Sequence, residues 1–338
     1  MIQATYQRIV LASRPRGSVT ADNFRLETVS TPTLLEPQQV LVRNQFLSLD
    51  PYMRGRMSLV KSYAQPQELN DTMIGATAGV VVQSSHADFN PGDSVTGMLG
   101  WSEMGVAPGE QLRKVDARQI PLSAYLGIVG MPGVTAWYGV NQILQAKAGQ
   151  TLVVSAASGA VGSVVGQLAR LLGCRVVGIA GGEQKCRYVV EQLGFDACVD
   201  YKKYATPEEL LAALTAATPA GIDLLFENVG GNVLDASLAQ LNAFARIALC
   251  GMISGYNGQP QPLKNTNRLL TMRVMLQGFI VTEHPDIWPQ ALSELAALVA
   301  GKQVIYHETI ADGLAAAPAA FMGLLSGQNL GKQLVKLN

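Results

Sequence analysis

The chain is 338 residues long, 48% apolar and only 15% charged, with 25 basic against 25 acidic side chains. That balance excludes an electrostatic footprint for nucleic acid or an anionic membrane surface, and it leaves small molecules and the chain itself as the expected partners. Single cores stop growing near about 250–300 residues, so two domains are expected.

The opening stretch, MIQATYQRIVLASRPRG, lacks the apolar run of a signal peptide and carries a strand-like YQRIVL segment. It is expected to belong to the fold, and the protein to the cytoplasm. Up to about Leu122 the pattern is short alternating segments, including Gln39–Asn44, Gly79–Gln83 and Ser94–Met98, separated by turns such as Pro91-Gly92-Asp93. This reads as a β-rich, barrel-like domain. After about Ala124 strands alternate with helices. The expected strands are Thr151–Ser155, Arg175–Ile179, Ala197–Asp200, Asp223–Phe226 and Arg246–Leu249; the helices lead to Leu172 and cover Glu183–Leu193, Pro207–Ala217 and Asn232–Leu241. Such alternation implies a doubly wound parallel α/β sheet. From about Tyr306 short strands return around an Ala-rich helix Leu314–Leu325, ending in a strand Lys332–Leu337. The expected domains are therefore 1–124 plus 305–338, β-rich, and 125–304, α/β. A cleft between two such domains is a favoured place for a ligand.

The most informative segment is TLVVSAASGAVGSVVGQLARLL, Thr151 to Leu172. It reads as a buried strand, a small-residue turn and a helix; the Ser and Gly residues of the turn rule out a membrane span. Ala157-x-Gly159-x-x-Gly162 keeps the spacing of the dinucleotide fingerprint, with Ala in the first position. Small residues there let the N–H groups around Gly159, Ala160, Val161 and Gly162 approach a pyrophosphate at the helix start. Roughly 20 residues on, where an NAD site places an acid on the ribose, the strand ends in Ala180-Gly181-Gly182. Lys185 follows as a cation for a 2′-phosphate, so the cofactor reads as NADP (NADPH); a lysine solvated on a helix start is the alternative. Glu183, near the same tip, would blunt the preference.

Five further segments carry a resemblance: Leu49-Asp50-Pro51-Tyr52-Met53-Arg54, Gly130–Ala136, Glu227-Asn228-Val229-Gly230-Gly231, Gly251–Asn257 and Asn329-Leu330-Gly331-Lys332. With the β-rich head, the inserted nucleotide fold and the returning tail, the chain resembles the medium-chain dehydrogenase/reductase superfamily over essentially its full length. Within it, these segments look like the zinc-independent prostaglandin/leukotriene reductase family, to which bacterial curcumin reductases and plant alkenal double-bond reductases belong. The resemblance implies a Rossmann domain inserted into a GroES-like catalytic domain. It also implies NADPH-dependent reduction of the carbon-carbon double bond of α,β-unsaturated ketones and aldehydes, and a homodimer paired along a sheet edge. The apolar run Val274–Val281 is the expected edge.

Zinc-dependent relatives have Gly-His-Glu where this chain has Gly75-Ala76-Thr77, and His86, His284 and His307 are scattered, so no zinc site is expected. The four cysteines, Cys174, Cys186, Cys198 and Cys250, form no C-x-x-C pair and read as reduced core thiols. Without a Lewis acid, the reaction needs a hydrogen-bond donor at the substrate carbonyl, and Tyr256 is the candidate. Its role is donor, proton source or cofactor contact, with water or a ribose hydroxyl as the other proton source. Tyr52 resembles a pocket tyrosine of the family; a structural ion-pair cluster of Asp50, Arg54 and Arg56 is the other reading of that turn. For the cofactor the resemblance implies Lys185 and Tyr201 at the adenosine phosphate, with Gly182 where relatives often have a hydroxyl residue, and Asn228 at the middle. It also implies Cys250-Gly251-Met252-Ile253-Ser254-Gly255-Tyr256 and Phe279-Ile280-Val281 along the nicotinamide half, and Asn329 from the tail. Quinone reduction and a non-catalytic NADPH sensor are the competing functions.

Overall fold

The computed structural model describes residues 3–258 and 261–337, and these form two compact units, Met1–Gly127 with Glu308–Asn338, and Ile128–His307. In chain order the first unit begins with β1 (Thr5–Leu11) and β2 (Phe24–Ser30), an antiparallel pair with Thr5 opposite Ser30. It continues with β3 (Gln39–Ser48), α1 (Tyr52–Arg56), β4 (Thr77–Ser84), β5 (Ser94–Gly97), β6 (Met104–Pro108) and the two-residue β7 (Arg113–Lys114). The register of β3 against β4 shifts twice, after Leu41 and after Asn44. An unpaired residue flips the side chains that follow to the other face. Val40 and Val42 accordingly join a core with Val81, Phe89 and Val95, whereas Phe46 packs against a second one of Ala78, Leu126 and Leu334. Asn44 pins the second shift, donating to the Ser102 carbonyl at 2.8 Å and accepting from the Thr77 hydroxyl at 2.9 Å.

The second unit holds α2 (Met131–Tyr138), β8 (Thr151–Ser155), α3 (Gly162–Leu171), β9 (Arg175–Ala180), α4 (Glu183–Arg187), β10 (Ala197–Asp200), α5 (Pro207–Ala217), β11 (Ile222–Glu227), α6 (Gly231–Ala239), β12 (Leu241–Leu249), α7 (Asn267–Thr271), β13 (Met275–Gly278) and α8 (Trp288–Ala300). The strands lie in the order β10-β9-β8-β11-β12-β13, every pair parallel. The chain winds outward one way from β8 and the other way from β11, so the carboxyl ends of these two strands form the switch point where such sheets take ligands. The first unit is completed by β14 (Glu308–Asp312), α9 (Ala317–Leu325) and β15 (Lys332–Lys336), with β15 antiparallel to β3.

Four local expectations need correction. Leu241, expected to end a helix, begins β12; it is 2% exposed, and a buried apolar residue satisfies either period. The helix expected at Glu183–Leu193 is α-helical only to Arg187 and continues as a wider π-type turn, Tyr188–Gln192. Of the apolar run Val274–Val281 only Met275–Gly278 pairs in the sheet, because Phe279 leaves the ladder to pack on Phe226 and Tyr138. Finally, of the cysteines read as core thiols only Cys174 is buried; Cys186, Cys198 and Cys250 are half-buried.

Candidate active site

The tip of β8 is a turn made by backbone geometry. Ala156 takes the left-handed conformation at φ 50°, a position the sequence motif does not mark. Its carbonyl accepts the Gly159 N–H at 2.9 Å. A side chain on Gly162 would stand 2.4 Å from that carbonyl, and one on Gly159 3.2 Å from it. Gly162 is therefore obligatory for the turn, and it opens α3, whose next N–H groups, of Ser163, Val164 and Val165, are taken by the carbonyls of Gly159 and Val161. Ala160 and Val161 are partly exposed above it, beside Gly159, so the loop places their backbone N–H groups where a phosphate can reach.

At the tips of β11 and β12 the loops are hydrogen-bonded into one piece. The Asn228 N–H donates to the Ser155 hydroxyl and its side-chain amide to the Ser155 carbonyl, both at 2.8 Å. Asn228 thus braces β11 against β8. Glu227 is fully buried and accepts the N–H groups of Val229 and Gly230 at 2.6 Å each. Burial raises its pKa to about 7, against the pull of those N–H groups and the Ser155 hydroxyl. The carbonyl of the same residue accepts the N–H groups of Cys250 and Gly251, and the Asn228 carbonyl accepts that of Ile253. Ser254 donates its hydroxyl to the Val229 carbonyl at 2.6 Å. The segment Cys250–Tyr256 is held in place by β11. Burial of its sulfur and then the nearby Glu227 push the Cys250 thiol up to about 12. Tyr256 is half-buried at the end of a 3-10 turn, its hydroxyl 3.5 Å from the Met252 N–H, a long contact.

Lys185 and Tyr201 stand just beyond the tips of the paired strands β9 and β10, along with two residues the motif does not mark. Asp200 accepts the Gly182 N–H at 2.7 Å and the Lys202 N–H at 3.1 Å on one carboxylate oxygen. Gly182 sits at φ +106°, with open space where a side chain would be. The Lys185 pKa is lowered by burial and then by the like charge of Lys202. The Tyr201 ring lies against Gly181, and Glu183 is engaged by Arg187 at 2.8 Å. The signal for Lys202 was the dipeptide Lys202-Lys203 directly after the strand.

Phe279 stands between Tyr138 and Phe226, with ring centroids 5.5 and 6.2 Å away, and Val281 accepts the Trp288 indole N–H at 3.2 Å. Ile280 links the two. Tyr138 also stacks on His284, with 3.0 Å between its hydroxyl and Nε2.

In the first unit, Tyr52 opens α1 and packs against the core cluster around Met53, Met57 and Phe321. Burial and the Asp50 carboxylate raise its phenol well above the ordinary value, which keeps it a neutral donor. The ion pair of that turn differs from the expected Asp50–Arg54–Arg56 cluster. Asp50 is paired with Lys332 at 3.2 Å, both side chains under 9% exposed, and accepts the Ser48 hydroxyl on its other oxygen. Lys332 also donates to the carbonyls of Leu49 and Gln333, whereas Arg54 donates to the Gly17 carbonyl. Asn329 is buried and spends an amide N–H on the Gly331 carbonyl at 2.8 Å. Ala76 and Thr77 serve the sheet, the carbonyl of one accepting from Ser48 and the hydroxyl of the other donating to Asn44. Among the described residues no three His, Cys, Asp or Glu side chains converge on a metal-sized space, and no helix is long and apolar enough to cross a membrane.

Comparison with known proteins agrees with this architecture. Residues 7–115 match the family described as N-terminal domain of oxidoreductase, and residues 160–297 the one described as zinc-binding dehydrogenase. The chain is 44% identical to the NADPH-dependent curcumin reductase of Escherichia coli (strain K12), an alignment covering 98% of this chain and 96% of that one. It is 42% identical to the NADP-dependent 2-alkenal reductase of Nicotiana tabacum over 99% and 98% of the two chains. The structure of CurA from Vibrio vulnificus in complex with NADPH superimposes with a TM-score of 0.93 at 43% identity, over 98% of this chain and 99% of that one. The chain belongs to the zinc-independent prostaglandin/leukotriene reductase family of the medium-chain dehydrogenase/reductase superfamily.

Proposed function

We propose that this protein reduces the carbon-carbon double bond of α,β-unsaturated ketones and aldehydes with NADPH. The observation that carries the cofactor reading is the pair of like charges, Lys185 and Lys202, beside Gly182, whose missing side chain leaves open space and whose N–H is held by Asp200. That cradle fits a ribose 2′-phosphate, and the Gly159–Gly162 turn at α3 fits a pyrophosphate. When bound, NADPH supplies the hydride that the β-carbon of the acceptor receives.

The chain's own residues do the rest. Ala160, Val161 and Gly162 offer backbone donors to the pyrophosphate, and Gly159, whose own N–H closes the turn on Ala156, lets it approach; Lys185, Lys202, Gly182 and Tyr201 take the adenosine phosphate end. Asn228 holds the middle of the site open by bracing β11 on β8. Cys250–Tyr256 and Phe279–Val281 are assigned to the nicotinamide half, and Asn329 to a backbone-shaping role in the first unit, the GroES-like catalytic domain of this reading. Tyr256 donates its phenolic hydrogen bond to the acceptor's carbonyl oxygen as negative charge grows there, and Tyr52 is assigned to the acceptor as a second neutral donor. β13 lies at the sheet edge with Met275 and Leu276 exposed, which supports a homodimer paired on that edge; a monomeric mass in solution would refute it. A cytosolic location accords with four free thiols and a reduced cofactor.

The test is NADPH consumption with an enone, run beside NADH and beside a quinone, with the product's mass recorded. A saturated ketone formed fastest with NADPH is the expected result. Quinone turnover alone, or NADPH binding with no turnover, overturns the reading. Tyr256→Phe is expected to lower kcat about 10²-fold while the NADPH KM holds, the loss typical of a donor to a developing oxyanion. An unchanged kcat removes Tyr256 from the chemistry.

A further inference from the structure

Beside the phosphate cradle lie two thiols that the reduction chemistry does not use. Cys186 of α4 and Cys198 of β10 have their sulfurs 3.0 Å apart, with Cys198 donating its S–H to Cys186. Both are half-buried rather than core residues, and they open onto a surface depression of about 340 Å³ that Arg187, Lys203 and Tyr204 also line. The sulfurs need to approach by only about 1 Å to reach the S–S bond length of about 2.05 Å. The geometry points to Cys186 and Cys198 as a peroxide-sensitive dithiol pair that closes to a disulfide and, in closing, weakens NADPH binding.

The roles within the pair follow from the hydrogen bond. The S–H of Cys198 holds the Cys186 thiol below its ordinary range against burial and the Asp200 carboxylate, with Lys203 adding a smaller pull, and the same bond raises Cys198. The Cys186 thiolate therefore attacks. Its sulfur forms an S–O bond to a hydroperoxide, the O–O bond breaks, and the departing oxygen leaves as water or alcohol once protonated. Cys186 sulfur is oxidised by two electrons to the sulfenic acid and the peroxide is reduced. The Cys198 sulfur then attacks Cys186; the S–S bond forms, the S–O bond breaks, and the hydroxyl departs with the Cys198 proton as water. A dithiol reverses the bond.

The coupling to the cofactor rests on the proposed NADPH reading. Cys186 directly follows Lys185, and Cys198 lies two residues before Asp200, whose carboxylate holds the N–H groups of Gly182 and Lys202. Drawing α4 onto β10 displaces both halves of the cradle.

The test uses the full chain, reduced, then treated with hydrogen peroxide. Peptide mapping is expected to show Cys186 cross-linked to Cys198, with the loss of two hydrogens, reversed by dithiothreitol. Cys186→Ser, and Cys186→Ala as a second variant, lose the cross-link; Cys198→Ser stalls at a sulfenic acid on Cys186 that a cyclic 1,3-diketone traps. NADPH titration is expected to give a Kd several-fold higher for the oxidised protein, with NADH affected less. Both thiols remaining alkylatable after peroxide, or a cross-link with unchanged NADPH Kd, overturns the proposal. A reduced protein with no preference for NADPH over NADH would instead sink the cofactor reading, and the mapping result judges the bond independently.

Discussion

The β8 tip of the nucleotide unit and the Asp50 corner of the first unit are both turns that depend on polar contacts, yet they are assembled in opposite ways. At β8 the turn closes within eight residues, on backbone bonds and a glycine that nothing larger can replace. Around Asp50 the stabilising cation comes from Lys332, and the Lys332–Leu49 bond spans 283 positions of sequence. One site is a local conformational fact; the other exists only once the tail has paired with β3. The difference teaches that short-range geometry and long-range charge pairing fail differently when altered.

Lys332→Ala is the sharpest way to break that comparison. It leaves the Asp50 carboxylate buried without its cation, an arrangement that costs about 3–5 kcal/mol. Urea unfolding should register it, and adding Asp50→Asn should recover much of the loss. A cost below about 1 kcal/mol would make the corner as tolerant as an exposed ion pair.

Next in size is a pH effect at the β11 tip. Glu227 titrates near 7 in the folded chain against an ordinary value of 4.5. Between those values the folded state keeps a proton that the unfolded state releases, so stability falls as pH rises through the window and the loss is complete above it. At 1.36 kcal/mol per pH unit the whole loss is about 3 kcal/mol. Glu227→Gln keeps the acceptor for Val229 and Gly230 without the charge, so its stability relative to the parent should grow by about that amount from about pH 5 to pH 8. Parallel stability curves would show that the buried carboxylate ionises without penalty.

The smallest effect concerns affinity rather than folding. Lys185→Ala should raise the NADPH KM roughly tenfold or more, the worth of a hydrogen bond to a charged partner at about 1.5–3 kcal/mol, with NADH kinetics unmoved. Equal losses for both cofactors would mean that the lysine supports the loop and not the phosphate.

Much of this was legible because it is local. The alternation of strands and helices, the Ala157/Gly159/Gly162 spacing and the acid-free end of β9 are properties of adjacent residues. The wide parallel sheet with its switch point at β8 and β11 follows from the same rhythm. The misread elements are those where burial satisfied two periods at once, as at Leu241, or where a packing partner drew the chain out of its strand, as at Phe279. The missed site residues are of a related kind. Asp200 and Lys202 acquire meaning only because β10 lies beside β9, and Glu227 only because its carboxylate has no water to face.

By itself the sequence determined the two-unit plan, the nucleotide turn and the family, because each is encoded by residue size, backbone freedom and spacing within a few turns of chain. Only the tertiary structure decided that Asp50 belongs to Lys332, that Lys185 feels the charge of Lys202, and that two cysteines twelve residues apart touch. Charge pairing, desolvation and thiol contact act through space, and their partners are chosen by packing rather than by distance along the chain.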